Sequence, residues 1–274
     1  MNLTNYHSHC DYCDGRAPLE FFIREAVTHG FTAYGISSHA PLAFHTRWTM
    51  DMEDTDAYLA EAFALKEKYA GIIEIYVGME IDYYNDESNP ASDFFKGLSL
   101  DYSIGSIHFV KELMETDGDS KNFKENLGKF YDGDLNHLVD DYFEASMRMV
   151  ELGGFDILGH CDKLALNAEF CSQGYSSAER FRGKVRDLLT FAAERDVLVE
   201  INTKKYATDG LFFPDVNYFP LLKDLKIRLV VNSDAHYPDK INSGRPEAFS
   251  ALKSAGIKSV WELHNNMWAE TRIL

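Results

Sequence analysis

The sequence predicts an α/β barrel formed by one domain over residues 1–274. Three observations lead there. Apolar runs rich in β-branched residues alternate with segments of helical periodicity, the order a parallel sheet with crossover helices requires. There are about seven such runs, near the eight of the commonest barrel, and 274 residues suit a fold of ~250. The runs also end in histidine, carboxylate or amide residues, and in such barrels the active groups sit at the carboxyl ends of the strands.

The first run begins at Leu3 and ends in His7-Ser8-His9. Residues i and i+2 of an extended strand share a side, so both imidazoles can reach one ion. Asp14 follows within a loop's reach. A helix is expected over 18–29, with Leu19, Phe22, Ile23, Ala26 and Val27 as its apolar stripe, Pro18 in the first turn and Gly30 as the stop. His29, in its last turn, complements the helix dipole. A strand over 32–37 ends in Ser38-His39. A second helix over 54–69 turns Tyr58, Leu59, Ala62, Phe63 and Leu65 inward, and a buried parallel strand over 72–79 ends in Glu80.

Residues 82–90 read as a polar loop, and a strand over 102–107 ends in His108. The charged, glycine-punctuated stretch 111–134 reads as an excursion over the barrel mouth. A long helix over 135–152 stops at Gly153-Gly154, and a strand over 155–158 ends in Gly159-His160. Residues 161–176 read as an insertion. A helix over 178–195 leads to a strand over 197–201 that ends in Asn202. Residues 203–215 are loop. A short helix within 216–225 has Pro220 in its first turn. It leads to a strand over 227–231, ending in Asn232-Ser-Asp-Ala-His236. A last helix covers 246–255, and the tail 260–274 is expected to pack around the outside.

Composition narrows the function classes. Hydrophobic content of 45% and aromatic content of 14% suit a globular protein with a sizeable core. A net charge of −17 disfavours long nucleic acid and acidic membranes as partners. The N-terminus lacks the succession of a signal peptide, and no apolar run reaches the ~18 residues of a membrane span. Four cysteines, Cys10, Cys13, Cys161 and Cys171, are too few for a disulfide scaffold. A cytoplasmic setting follows. Cys10 and Cys13 have C-x-x-C spacing, but no second pair completes a zinc ribbon.

The strand ends supply the chemistry. His7, His9, His39, Glu80, His108, His160, Asp234 and His236, with Asp14 from a loop, would converge on one small volume. Such a mixture of imidazole and carboxylate suits zinc, iron or manganese better than magnesium or calcium. His45 is a candidate for the mouth, whereas His137 and His264 read as surface or packing residues.

These residues resemble a known family. His7-x-His9, Gly35-Ile-Ser-Ser-His39, Gly78-Met-Glu80, Gly105-Ser-Ile-His108, Leu158-Gly-His160, Glu200-Ile-Asn202 and Asn232-Ser-Asp-Ala-His236 are similar to the motifs of the PHP (polymerase and histidinol phosphatase) superfamily. Trp48-Thr-Met50, the run 78–83 and the run 105–110 resemble its histidinol-phosphate phosphatase branch. The resemblance implies a distorted (β/α)7 TIM-like barrel with three divalent transition metal ions. By its pattern the first ion takes His7, His9, Glu80 and Asp234. The second takes Glu80, His108 and His160, with Glu80 bridging, and the third takes Asp14, His39 and His236. Two departures stand out: Asp14 occupies a position that is often histidine in the family, and 203–205 differ from the usual continuation.

The implied activity is hydrolysis of a small phosphomonoester, L-histidinol phosphate, with Glu80, Asp234 and His236 as the catalytic set. Three divalent ions less three carboxylates leave roughly +3, which a phosphate dianion and a hydroxide would balance. Arg47, Lys163, Lys204, Lys205 and Arg245 are candidates for a phosphate clamp. Trp48, Asp82, Tyr83, Tyr84, Phe109 and Glu112 are candidates for holding the ammonium and imidazole of the substrate. A phosphodiesterase or exonuclease on short nucleotides is the alternative activity, and a non-catalytic metal-binding subunit is the alternative outside enzymes. The sequence leaves the oligomeric state and the native metal open.

Overall fold

The computed structural model describes residues 2–111 and 113–274. Seven strands form one parallel sheet: β1 (Thr4–Asn5), β2 (Ala33–Ile36), β3 (Glu74–Asp82), β4 (Tyr102–Ser106), β5 (Ile157–Leu158), β6 (Leu198–Asn202) and β7 (Leu229–Asn232). They pair in chain order, each parallel to the next. A parallel bridge between Ser8 and Ala235 joins the two edges. There the His9 amide donates to the Ala235 carbonyl at 2.9 Å and the Ala235 amide to the His7 carbonyl at 3.3 Å. The sheet is thus a (β/α)7 barrel. Its distortion lies in β1 and β5, which hold ladder pairing over two residues each.

The main helices are α1 (Leu19–Thr28), α2 (Thr55–Lys68), α3 (Ser120–Tyr131), α4 (Leu135–Leu152), α5 (Glu179–Glu194), α6 (Phe219–Asp224) and α7 (Arg245–Ser254). Each turns its apolar residues to the sheet or to a neighbouring helix. In α4 these are Leu138, Val139, Tyr142, Phe143, Met149 and Val150, all buried, at the spacing a core-facing helix shows. Among the described residues, no helix is long and apolar enough to cross a membrane.

The barrel floor differs from expectation. The tail does not wrap the outside. It forms an antiparallel hairpin, Ser259–His264 with Met267–Arg272, that closes the amino-terminal end of the barrel. Leu263 and Trp268 pack on Tyr6, Tyr76, Tyr102, Ile104, Ile157, Leu198 and Val230. The Leu263 amide donates to the Tyr6 hydroxyl at 2.7 Å, and the Tyr102 hydroxyl donates to the Tyr6 carbonyl at 2.6 Å. A ring of this size needs space. A Cβ at Gly35 would lie 2.4 Å from the Tyr102 hydroxyl, and one at Gly78 would lie 2.7 Å from its ring. Small residues on two strands therefore make room for one large residue on a third, as barrel interiors require.

Three segments carry more structure than the sequence suggested. The excursion 111–134 contains α3, capped by the Asp119 side chain, which accepts from the amides of Lys121 and Asn122. A two-stranded hairpin, Phe109–Val110 with Met114–Glu115, precedes it. The insertion 161–176 contains a helix, Ala165–Cys171, and 203–215 contains a helical turn, Tyr206–Asp209. Strand β3 also extends beyond 72–79. Its pairing with β4 continues through Glu80 opposite Ile104 to Asp82 opposite Ser106. Glu80 is thereby inside a strand, on the same face as Tyr76, Gly78 and Asp82.

Candidate metal centre

The chain carries its polar strand ends into a dry cluster. His7, His9, His39, Glu80, His108, His160 and Asp234 are each at most 5% exposed, where unpaired polar groups are costly. Glu80 is at the middle. One of its oxygens, Oε1, is 2.8 Å from Nε2 of His160 and 3.6 Å from Nε2 of His108. The other, Oε2, is 2.9 Å from Nδ1 of His39, 3.2 Å from Nε2 of His7 and 3.6 Å from Nε2 of His9. The Ser106 hydroxyl donates to Oε1 at 2.6 Å. Asp234 Oδ1 is 3.1 Å from Nε2 of His9 and 3.5 Å from Nδ1 of His236. The left-handed backbone at Asp234, φ 49°, turns the chain there between β7 and His236.

Asp14 joins from its loop. Gly15 permits this, because a Cβ there would strike the His9 carbonyl at 2.1 Å. The Gly15 amide donates to the Cys10 carbonyl and the Arg16 amide to the His236 carbonyl, at 3.1 and 2.8 Å. The folded-back loop sets Asp14 Oδ1 3.2 Å from His236 Nε2 and 3.8 Å from His39 Nε2.

Many of these contacts lack the alignment of hydrogen bonds. His7 Nε2, His9 Nε2, His39 Nδ1, His108 Nε2, Asp14 Oδ1 and Glu80 Oε2 are buried without a hydrogen-bond partner. Buried donors and acceptors are ordinarily paired, so six orphans facing a common centre mark a site for cations. Four groups of these atoms each lie within 4.8 Å of one another: His9, Asp14, His39 and His236; His7, Glu80 and His160; His7, His9 and Asp234; and His39, Glu80 and His108. The cluster therefore suits metal binding. His9 and His39 each stand in two groups.

The electrostatics agree. Without a cation the carboxylates draw protons onto His7 and His108, whereas burial holds His9, His160 and His236 below the usual imidazole range. Burial opposes charge on His7, but Glu200, Glu80 and Asp234 raise its pKa well above the usual value. Burial likewise opposes charge on His108, yet Asp82, Glu80 and Asp117 push it up to about 10. Glu80 moves the other way: burial works against ionisation, and His7, His39 and His108 nevertheless hold it well below the carboxylate range. The pocket is short of positive charge, which divalent ions would provide.

The candidate clamp residues divide. Lys163 is buried, with Nζ 2.7 Å from Asp117 Oδ2 and 3.8 Å from Asp234 Oδ2. Lys204 Nζ is 3.2 Å from both Asp234 Oδ1 and His236 Nε2. Arg47 is exposed on the loop that carries Trp48. Lys205 points away, to Asp209 at 3.8 Å on the surface. Arg245 is a correction. It is fully buried beside the first and last strands and donates to the carbonyls of Asn2, Thr4 and Val231. Its guanidinium is thus taken up by the backbone at the first and last strands and by the Asn242 side chain.

The candidate substrate residues also divide. Trp48 stacks on Phe109 with ring centres 5.4 Å apart and planes 11° apart. Its ring centre is 4.7 and 5.0 Å from those of His39 and His108, with the planes steeply inclined. Phe44 and Tyr84 extend this aromatic rim. Asp82 is a second correction. It is buried, and its Oδ1 takes both Nδ1 and the amide of His108, at 2.9 and 2.8 Å, so it is spent on the protein. Tyr83 turns outward to Asp86 at 3.0 Å. Glu112 lies outside the described residues. His45 meets Asp51 on the surface, while His29, His137 and His264 pair with Glu25, Asp141 and the couple Glu74 and Glu262.

The sequence assigns no role to two acidic residues of the site: Glu200 enters only as part of a motif, and Asp117 not at all. Glu200 is buried two residues before Asn202 on the same face of β6, a spacing that could have revealed it. Asp117 comes from the loop between the 109–115 hairpin and α3, and nothing in its Thr-Asp-Gly-Asp surroundings marks it.

The comparisons with known proteins agree with this geometry. The family model described as PHP domain matches residues 5–204. A histidinol-phosphatase of Bacillus subtilis is 28% identical over 259 residues, which cover 86% of this chain and 94% of its own. A Listeria monocytogenes structure that provisionally carries the histidinol phosphatase name superposes with a TM-score of 0.80 at 25% identity, over 89% of this chain and 99% of its own. A histidinol phosphate phosphatase of Lactococcus lactis, complexed with zinc, L-histidinol and phosphate, has a TM-score of 0.76. It covers 97% of this chain and 98% of its own at 18% identity, a likeness of fold. With its motifs at the strand ends and the family model spanning most of its length, the chain belongs to the PHP domain family.

Proposed function

We propose that the chain is a metal-dependent phosphomonoesterase that hydrolyses L-histidinol phosphate to L-histidinol and phosphate. The observation that carries the reading is the convergence of five imidazoles on the Glu80 carboxylate. Relatives of nearly equal length that bear the histidinol-phosphatase name support the choice of substrate.

Three divalent ions, zinc, iron or manganese, would be held by His7, His9, Glu80 and Asp234, by Glu80, His108 and His160, and by Asp14, His39 and His236. The geometry adds His9 as a neighbour of the third set. Such ions, when bound, activate water at neutral pH and supply charge opposite the phosphoryl oxygens.

The remaining residues act on the ester. Lys163 and Lys204 flank Asp234 and are placed to meet the phosphate dianion. Asp117 and Asp234 overcome burial and keep the Lys163 ammonium charged. Trp48, partly exposed and backed by the buried Phe109, is placed at the rim, where an imidazole can stack. In the reaction the oxygen of water joins phosphorus, the ester P–O bond breaks, and a proton from that water ends on the alcohol. The buried walls keep bulk water from the charges, which strengthens each of these interactions.

The test is phosphate release by metal-loaded protein from L-histidinol phosphate, simple aryl and alkyl phosphates, and dinucleotides. The expected result is a kcat/KM for L-histidinol phosphate at least ~100-fold above the simple esters, roughly 2.7 kcal/mol of selective transition-state binding. Equal efficiency on all monoesters, or a preference for dinucleotides, would favour the phosphodiesterase reading.

A further inference from the structure

Two carboxylates stand behind the imidazoles without facing the centre. Glu200 Oε1 is 2.7 Å from Nδ1 of His7 and takes the Asn232 side-chain amide at 2.9 Å. Its Oε2 takes the Asn202 side-chain amide at 2.9 Å and the His160 backbone amide at 3.1 Å. Asn202 in turn donates to Asp234 at 3.1 Å. Glu200 thus ties together the segments that carry His7, His160 and Asp234. Asp82 makes the same contact with Nδ1 of His108. An ionised carboxylate accepts only. In a neutral imidazole that ligates an ion, the proton is then on Nδ1 and Nε2 is bare toward the centre. Both Nε2 atoms are among the buried atoms without hydrogen-bond partners.

The set Asp14, His39 and His236 is built differently. His236 Nδ1 is 3.0 Å from a backbone carbonyl, that of Asp234, and His39 Nδ1 faces Glu80 itself. The Asp14 side chain is 26% exposed, against 0% for Glu80 and 2% for Asp234. Carboxylates behind ligating imidazoles raise their basicity and fix their tautomer. An ion whose ligands lack such support, and whose carboxylate is partly exposed, leaves more easily.

We infer that Glu200 and Asp82 are positioning residues that lock His7 and His108 with Nε2 free, and that the ion at Asp14, His39 and His236 is the most readily exchanged. This rests on the metal-site reading above. The experiment is stepwise chelation of zinc-loaded protein by EDTA, with zinc per chain counted at each step, together with histidine nitrogen NMR spectra. In the wild type, one ion per chain should leave first. In Glu200→Gln the ion at His7 should bind about 10–100-fold more weakly and join that first release. Asp82→Asn should do the same for the ion at His108. The spectra of the wild type alone should show His7 and His108 protonated at Nδ1, which keeps the test intact if a variant fails to fold.

Loss of all ions in one step, a release profile unchanged in both variants, or Nε2-protonated His7 would overturn the inference. Failure to bind zinc at all would instead overturn the metal-site reading.

Discussion

Glu80 and His160 meet at 2.8 Å across the barrel, Oε1 to Nε2, although 80 residues separate them. Oε1 also takes the Ser106 hydroxyl, whereas Oε2 is left to His7, His9 and His39. One carboxylate thus divides its two oxygens between two sides of the site, as a residue shared by two ions would.

Asp14 tests the loop's part in the site. Asp14→Ala is expected to lose the ion it shares with His39 and His236 and to lower turnover by at least about tenfold, with thermal stability of the metal-free protein unchanged. Asp14→His should keep part of the activity, since imidazole can fill the same position. Metal analysis and phosphate release on the two variants check this. Full metal content and full rate in Asp14→Ala would exclude the loop from the site.

Trp48 tests the aromatic rim. Trp48→Ala is expected to raise KM for L-histidinol phosphate about tenfold, near 1.4 kcal/mol, and to leave kcat/KM for a simple alkyl phosphate within about twofold. Steady-state kinetics on both substrates decide it. An equal loss on both would make Trp48 a support for His39 and His108 and not a substrate contact.

Arg245 separates stability from activity. Arg245→Met leaves carbonyls of Asn2, Thr4 and Val231 unpaired and should cost roughly 3 kcal/mol. Turnover per folded, metal-loaded molecule should stay at the wild-type level. Denaturant unfolding and active-site titration measure the two effects. A stable but inactive variant would return Arg245 to the site.

Asp156 carries a pH signature. Burial pushes its carboxyl above the usual range, opposed by hydrogen bonds from the Ser103 amide and the Trp268 indole. The folded chain therefore holds this proton more tightly than the unfolded chain. The group's contribution to stability falls as pH rises from about 3.9 through the folded value, and is flat above it. Melts of metal-free wild type and Asp156→Asn at about pH 4 and pH 7 should show the variant relatively more stable at the higher pH. A pH-independent gap would contradict this.

The barrel and most of its functional ends were legible in the sequence because strand ends keep local order. His-x-His, Gly-x-Glu and Asp-x-His each put chemistry within five residues of a strand's apolar run. What escaped depends on contacts between distant segments. Lys163 and Asp117 pair across 46 positions from two loops. Helix α3 hides its stripe of Phe123, Leu127 and Tyr131 among lysines and asparagines. Asp82 looked like a group for the substrate because it comes just after Glu80, at the start of a segment that reads as a loop. Only the turn of His108 back onto it shows where its charge is used. The tail read as an outer wrapping, since its alternation does not tell which end of a barrel it closes.

The most direct test of the account is the metal content of purified, zinc-loaded protein beside that of Glu80→Ala. The account predicts three ions per chain in the wild type and the loss of more than one in the variant, because Glu80 stands between two of the proposed ligand sets. One ion per chain, unchanged by Glu80→Ala, would contradict it.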